Sequence, residues 1–164
     1  QYSQIIFDLI IKNKDFLKET MVWVDKYKSV QDAINFIYFC NQQHELRKQA
    51  VYIIIYDFEV IGSLSFVNLD LEKQKGELGY WLSQEYNGQG IMSKCIQSFI
   101  EYGFKELKLN KIIIKCIEKN IKSSKLAEKL CFKFKKMQKE GFEINNIKHN
   151  VLKYELIKNQ KQNI

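Results

Sequence analysis

The sequence predicts an α+β domain, built as one mixed, mostly antiparallel sheet flanked by helices. Three observations predict it. Apolar residues recur at helical spacing through roughly the first 40 residues, the period shortens to that of strands from Val51 onward, and a strand–helix–strand passage follows. That passage feeds an antiparallel meander into a crossover, which makes the sheet mixed and puts helices on its faces.

The elements follow in order. Ile5, Ile6, Leu9 and Ile10, then Phe16 and Leu17, form the apolar stripe of a first helix, and residues 21–27 make an aromatic loop after it. Ser29, with Asp32 three residues on, opens a second helix whose expected buried stripe is Ala33, Ile34, Ile37 and Tyr38. The β-branched run 51–56, the polar turn 57–59 and residues 60–67 read as a hairpin, and 77–83 as a third strand. Residues 92–107 return to helical spacing, with Ile96, Phe99, Ile100 and Phe104 opposite Lys94, Gln97, Glu101 and Lys105. A strand at 111–117, a short helix at 123–130 and a closing pair of strands at 132–139 and 147–157 complete the order ααβββαβαββ.

Composition sets the bounds. With 164 residues, 46% hydrophobic and 27% charged, no proline and no linker or repeat, the chain reads as a single domain over residues 1–164. No apolar run approaches the roughly 20 residues needed to cross a bilayer, so no membrane span is expected. The start carries no leader pattern, because the apolar run 5–11 is broken by Asp8, and a cytoplasmic protein is expected. The chain opens on Gln1 and passes at once into helical spacing, so a strand preceding it is expected to be missing.

Cys40, Cys95, Cys116 and Cys131 form no C-x-x-C pair and sit in apolar segments, which favours reduced structural thiols. With only His44 and His149 beside them no metal-ligand spacing assembles, and no metal is expected. The net charge of +7 comes from lysines spread along the chain, Arg47 being the only arginine. Such a surface favours acidic partners, whereas base readout in nucleic acid leans on arginine forks. No direct nucleic-acid role is expected.

The most informative stretch runs from Gly79 to Lys94. A strand leads into Gly88 and Gly90 and then straight into the amphipathic helix, which leaves backbone N–H groups and the positive helix end around residues 88–92. This is a phosphate cradle. Two glycines alone also suit a helix cap or tight turn. A dinucleotide fingerprint would need a third glycine where Ser93 stands, and a P-loop would need Gly-Lys-Ser/Thr.

That loop, with Gly79-Tyr80-Trp81-Leu82 before it and Asn120-Ile121-Lys122-Ser123 and Leu130-Cys131-Phe132 after it, resembles the GNAT N-acetyltransferases. Within them it is most similar to the RimJ and RimL branch, which acetylates N-terminal amines of ribosomal proteins. Leu9 to Lys14 with Trp23, and Gly62-Ser63-Leu64-Ser65-Phe66, extend the likeness over nearly the whole chain. Gly88 to Ser93 and Ile114-Lys115-Cys116 look closest to RimL members.

The resemblance implies a GNAT fold and acetyl-CoA as cosubstrate. Its pantetheine arm would lie against Trp81, Leu82 and Ser83, its pyrophosphate on the amides of Asn87, Gly88, Gln89, Gly90, Ile91 and Met92. Asn120 matches the position that bonds the pantetheine arm, with Ser123 and Lys125 nearby. Acetyl transfer to a primary amine needs a neutral amine, an oxyanion donor and a proton for the leaving thiolate. The resemblance puts the donor on a strand amide near Leu82.

Many GNAT enzymes carry a tyrosine acid where Ala127 stands, so Ser123 becomes the candidate acid, helix capping being its plainer role. The glutamate base of the RimL pattern falls on Phe142. Glu140 would share its face in a regular strand, Glu143 would reach it through a bulge, and Glu77 is a third candidate by analogy. An acceptor groove is expected between residues 13–23, with Asn13 and Trp23, and the closing strands that bear His149 and Tyr154.

The branch implies the N-terminal amine of an acidic ribosomal stalk protein as acceptor, and a homodimer. A small-molecule acetyltransferase acting on polyamines, amino sugars or antibiotics is the alternative. A catalytically silent acyl-CoA-binding module is another, because Phe142 replaces the glutamate.

Overall fold

The computed structural model describes residues 2–158; residues 1 and 159–164, within the expected domain span, lie outside the described residues. The first helical stretch is two helices, α1 (Ser3–Lys12) and α2 (Lys14–Leu17), and α3 (Val30–Glu45) follows. Asn13 makes the break. Its amide donates to Leu9 O at 2.9 Å and its carbonyl oxygen accepts from Gln84 N at 2.8 Å, fixing the helix pair to the chain beyond the third strand. At α3 the Asp32 carboxylate accepts from the amides of Ser29 (2.8 Å) and Lys28 (3.0 Å), as the capping residues required.

Among the described residues the sheet has six strands: β1 (Ala50–Tyr56), β2 (Glu59–Asp70), β3 (Lys75–Leu82), β4 (Lys111–Ile117), β5 (Lys133–Ile144) and β6 (Ile147–Ile157). Their spatial order is β1-β2-β3-β4-β6-β5. Only β3 and β4 run parallel, joined by the crossover helix α4 (Ile91–Lys105); α5 (Ile121–Lys129) links β4 to β5. Two strands run further than expected. Phe58 and Asp57, both in the left-handed region, close one hairpin, and Asn145 and Asn146 close another, so β5 reaches Ile144 instead of ending at residue 139.

The two faces of the sheet differ. On one, α4 and α5 seal a large core around Phe66, Ile96, Ile100, Ile112, Ile114 and Leu156. On the other, α1 and α3 lie over β1 and β2 and bury a small cluster of Ile10, Leu17, Val24, Tyr27 and Ala33. The α3 stripe differs from the one expected. Only Ala33 is buried, while Ile34 is 43% and Tyr38 65% exposed, because the space beneath the helix is hollow and the helix turns those side chains outward.

Candidate active site

β3 and β4 pair only from Lys75↔Lys111 to Leu78↔Ile114. Beyond that the strands part, and residues 79–82 face residues 115–117 across an opening. Ser83 N–H donates to Ile61 O at 2.7 Å, and amides alternate along a strand, so Tyr80 and Leu82 turn theirs away from β2 and into this opening. An extended ligand can complete the free strand edge. At its far end Gly88 (φ +82°) and Gly90 (φ +79°) occupy the left-handed region, with open space around both, and Gly90 caps α4. The first-turn amides of α4 are therefore exposed to an anion.

A cavity of about 870 Å³ joins this opening to the hollow under α1 and α3. Trp23 and Trp81, ring centroids 6.1 Å apart, stand on its wall with Tyr27 and Phe142. Asn120 and Ser123 reach it from α5, and Glu77 and Lys115 from the sheet. Asn120 caps α5, its Oδ1 accepting from Ser123 N at 3.1 Å. The Ser123 hydroxyl, almost fully buried, lies 2.7 Å from the Tyr80 phenol. Burial pushes that phenol up to about 12, despite the opposing hydrogen bond with Ser123.

The three candidate carboxylates separate. Glu77 lines the cavity and pairs with Lys115 at 2.7 Å. Glu140 sits in a bulge between Gln138 and Phe142, at φ +50°, with its carboxylate in solvent beside Lys148 at 3.1 Å. The bulge leaves Phe142 facing the cavity opposite His149, while Glu143, opposite Lys148, is exposed on the other face. Of the expected acceptor residues, Trp23 lines the cavity and His149 shares the face of Val151, which also lines it. Asn13 is buried and committed to Leu9, Ser83 and Gln84. Tyr154 lies in the core on the opposite face, its hydroxyl donating to Glu128 at 3.3 Å.

Residues 10–133 match the family model described as the acetyltransferase (GNAT) domain. The chain is a GNAT acetyltransferase. It is 33% identical over 107 residues to YdaF of Bacillus subtilis (strain 168), and 29% identical over 122 residues to the ribosomal-protein-serine acetyltransferase of Escherichia coli (strain K12). Those matches cover 65% and 74% of this chain, and 58% and 68% of the relatives. The chain thus spans little more than half of YdaF. Among solved structures, RimL, the ribosomal L7/L12 alpha-N-protein acetyltransferase, in complex with coenzyme A through a CoA–cysteine disulfide, superposes with a TM-score of 0.92 at 25% identity. That superposition covers 95% of this chain and 88% of that one.

The GNAT family implies acetyl-CoA as cosubstrate, and the residues present fit it. The amides of Tyr80 and Leu82 are free on the β3 edge, and a Cβ at Gly88 or Gly90 would meet nothing within 4 Å, which leaves the cradle open. Leu82 and Ser83 contribute backbone, since the Leu82 side chain is core and the Ser83 hydroxyl is bound to Asn13 at 3.2 Å. Asn87 and Gln89 brace the loop, their amides donating to Ser83 O (3.1 Å) and Glu85 O (3.0 Å). Ile91 and Met92 pack on the core, and Lys125 is exposed on α5. Tyr80, Lys115 and the apolar walls from α3 and β1 belong to the site without a role that the sequence predicts. Alternation from Trp81 would have turned Tyr80 toward the helix bearing Ser123; the hollow has no sequence signal. Among the described residues no group of three or more His, Cys, Asp or Glu gathers to hold a metal, and no helix is long and apolar enough to cross a membrane.

Proposed function

We propose that this acetyltransferase modifies the N-terminal α-amine of a ribosomal protein, an acidic stalk protein being the acceptor. The observation that carries the reading is the parted β3–β4 edge opening into a cavity that holds Glu77 on one side and Ser123 on the other. Likeness to the E. coli enzyme and to RimL supports the acceptor class. Acetyl-CoA supplies the thioester. Glu77, held by Lys115, takes the amine's proton directly or through water, a task within reach because an α-amine titrates near pH 8. The Leu82 amide faces the charge that develops on the carbonyl oxygen, and Ser123 returns a proton to the departing thiolate.

Thiol release from acetyl-CoA, measured with peptides bearing N-terminal Ser or Ala, with spermidine and with an aminoglycoside, tests this. Release with one of the peptides alone supports it; release only with a small amine overturns it. A small-molecule acceptor is the second reading, favoured by a cavity of about 870 Å³ with aromatic walls, a size that encloses a compact ligand. If no acceptor gives release while calorimetry registers acetyl-CoA binding, the chain is a silent binding module. A homodimer belongs to the same reading, and a monomer mass by light scattering across the micromolar range would refute it.

A further inference from the structure

On the acceptor side α1 and α3 pack on β2 and β1, and among the described residues they do not pack extensively on the half of that face made by β4, β6 and β5. The strand register assigns its side chains. Lys75 pairs with Lys111, Lys115 with Lys153, Lys153 with Lys136, and Glu155 with Lys133, so these residues and Glu77 stand on one face. Lysines spread through the sequence thus converge in space. Six of them share this face with two glutamates, and both glutamates lie low in it: Glu155 is almost fully buried between Lys153 (2.8 Å) and Lys111 (3.6 Å), and Glu77 pairs with Lys115. Lys75 spends its charge on Asp70 at 3.6 Å. Lys133 and Lys136 are exposed, and neither has a carboxylate within ion-pair distance among the described residues. The same face continues into the cavity through Gln138, Val151 and Phe142.

We infer that this uncovered lysine face is the docking surface for an acidic segment of the acceptor polypeptide, lying a few residues beyond the amine that enters the cavity. The inference rests on the reading that the acceptor is a protein N-terminus. Charge sign and continuity with the cavity select the occupant. Lysine ammonium groups on flexible stems suit scattered carboxylates, whereas a nucleic acid would call for guanidinium forks and stacking rings; this face has no arginine, and its aromatic residue, Phe142, belongs to the cavity wall. From Val151 to Glu155 the strand advances about 13 Å at roughly 3.3 Å per residue, so an extended acceptor would set its acidic residues about four to eight positions from the amine.

The test uses the whole chain and two peptides with the same first three residues, one continuing with Asp and Glu, the other with Ser and Gln. We expect an acetylation KM about tenfold lower for the acidic peptide at low salt, the difference fading near 0.5 M salt. Replacing Lys133→Glu and Lys136→Glu together should erase the difference while leaving the neutral peptide's kcat/KM and the KM for acetyl-CoA unchanged; both side chains are exposed, so folding should be unaffected. Equal KM values for the two peptides, or a difference that survives the double substitution, overturn the docking surface and leave the acceptor reading standing. Acetylation of neither peptide alongside acetylation of a small amine overturns that reading and the surface with it. Binding of a short single-stranded RNA that the double substitution abolishes, with no preference between the peptides, reassigns the face to nucleic acid.

Discussion

Ser123 can return a proton to a thiolate only while its hydroxyl hydrogen is free to point at it. The Tyr80 phenol lies 2.7 Å away, either oxygen being able to donate, and burial pushes it up to about 12; it therefore keeps its proton at neutral pH and can turn it to Ser123 Oγ when the serine hydrogen is directed at the thiolate. Tyr80 is in this reading a positioning residue. We expect Ser123→Ala to lower kcat about 100-fold and Tyr80→Phe about tenfold, with acetyl-CoA affinity by calorimetry unchanged in both. Because the phenol's folded value is raised, it contributes no titration to the rate profile below about pH 10; a basic limb near pH 9 that vanishes in Tyr80→Phe would contradict the assignment. Glu77→Gln should cost about 100-fold in kcat, whereas Glu140→Gln and Glu143→Gln, exposed outside the cavity, should leave kcat intact.

At the scale of elements, the cradle depends on backbone that only glycine adopts freely. Gly90 has open space around it, so Gly90→Ala meets no clash; the cost of about 1 kcal/mol comes from φ +79°. We expect a fall in Tm of several degrees together with weaker coenzyme A binding, and unchanged binding would detach the loop from the phosphates. Asn13→Ala should lose about 1–3 kcal/mol of stability, since it removes the acceptor shared by the buried Ser83 hydroxyl and the part-buried Gln84 N, where α1 meets the chain after β3. In β6, burial pushes the Glu155 carboxyl up, but the hydrogen bond from Lys153 and the charges of Lys153, Lys111 and Lys135 outweigh it and hold its pKa down. The sign follows: the stabilisation is complete above the usual carboxylate range and is lost as pH falls through the depressed value. Denaturation of Glu155→Gln should therefore reveal a deficit of about 2 kcal/mol at neutral pH that shrinks in acid.

Over the whole molecule, one face of the sheet is closed and the other is divided between a hollow under α1 and α3 and a field of lysines. The closed face supplies stability, with α4 held in place by the core, so that its N-terminus keeps a fixed relation to the β3 edge. In the proposed reading the divided face supplies choice of acceptor. Its charge acts at a distance, and we expect kcat/KM for an acidic protein acceptor to fall steeply as salt rises to about 0.5 M, where the screening length contracts to a few ångströms. A neutral small amine should show almost no such dependence.

The sequence by itself determined the order of the elements, the strand-to-glycine-to-helix cradle, the capping of α3 by Ser29 and Asp32, and the family. Each is written in local spacing, in residue types whose backbone preferences are their own, or in motifs a few residues long. Tertiary structure decided the rest. That β3 and β4 part after Leu78 depends on the pairing of distant strands, and that Tyr80 meets Ser123 depends on α5 packing across 43 positions of chain. The candidate carboxylates could not be ranked in sequence, because a bulge in β5, where four steps from Gln138 to Phe142 oppose two from Val151 to His149, lifts Glu140 out of the face it would share with Phe142 in a regular strand. Likewise the Ile34 and Tyr38 periodicity reported a helix but not the void beneath it, since spacing specifies which face is apolar and only packing specifies whether anything fills it.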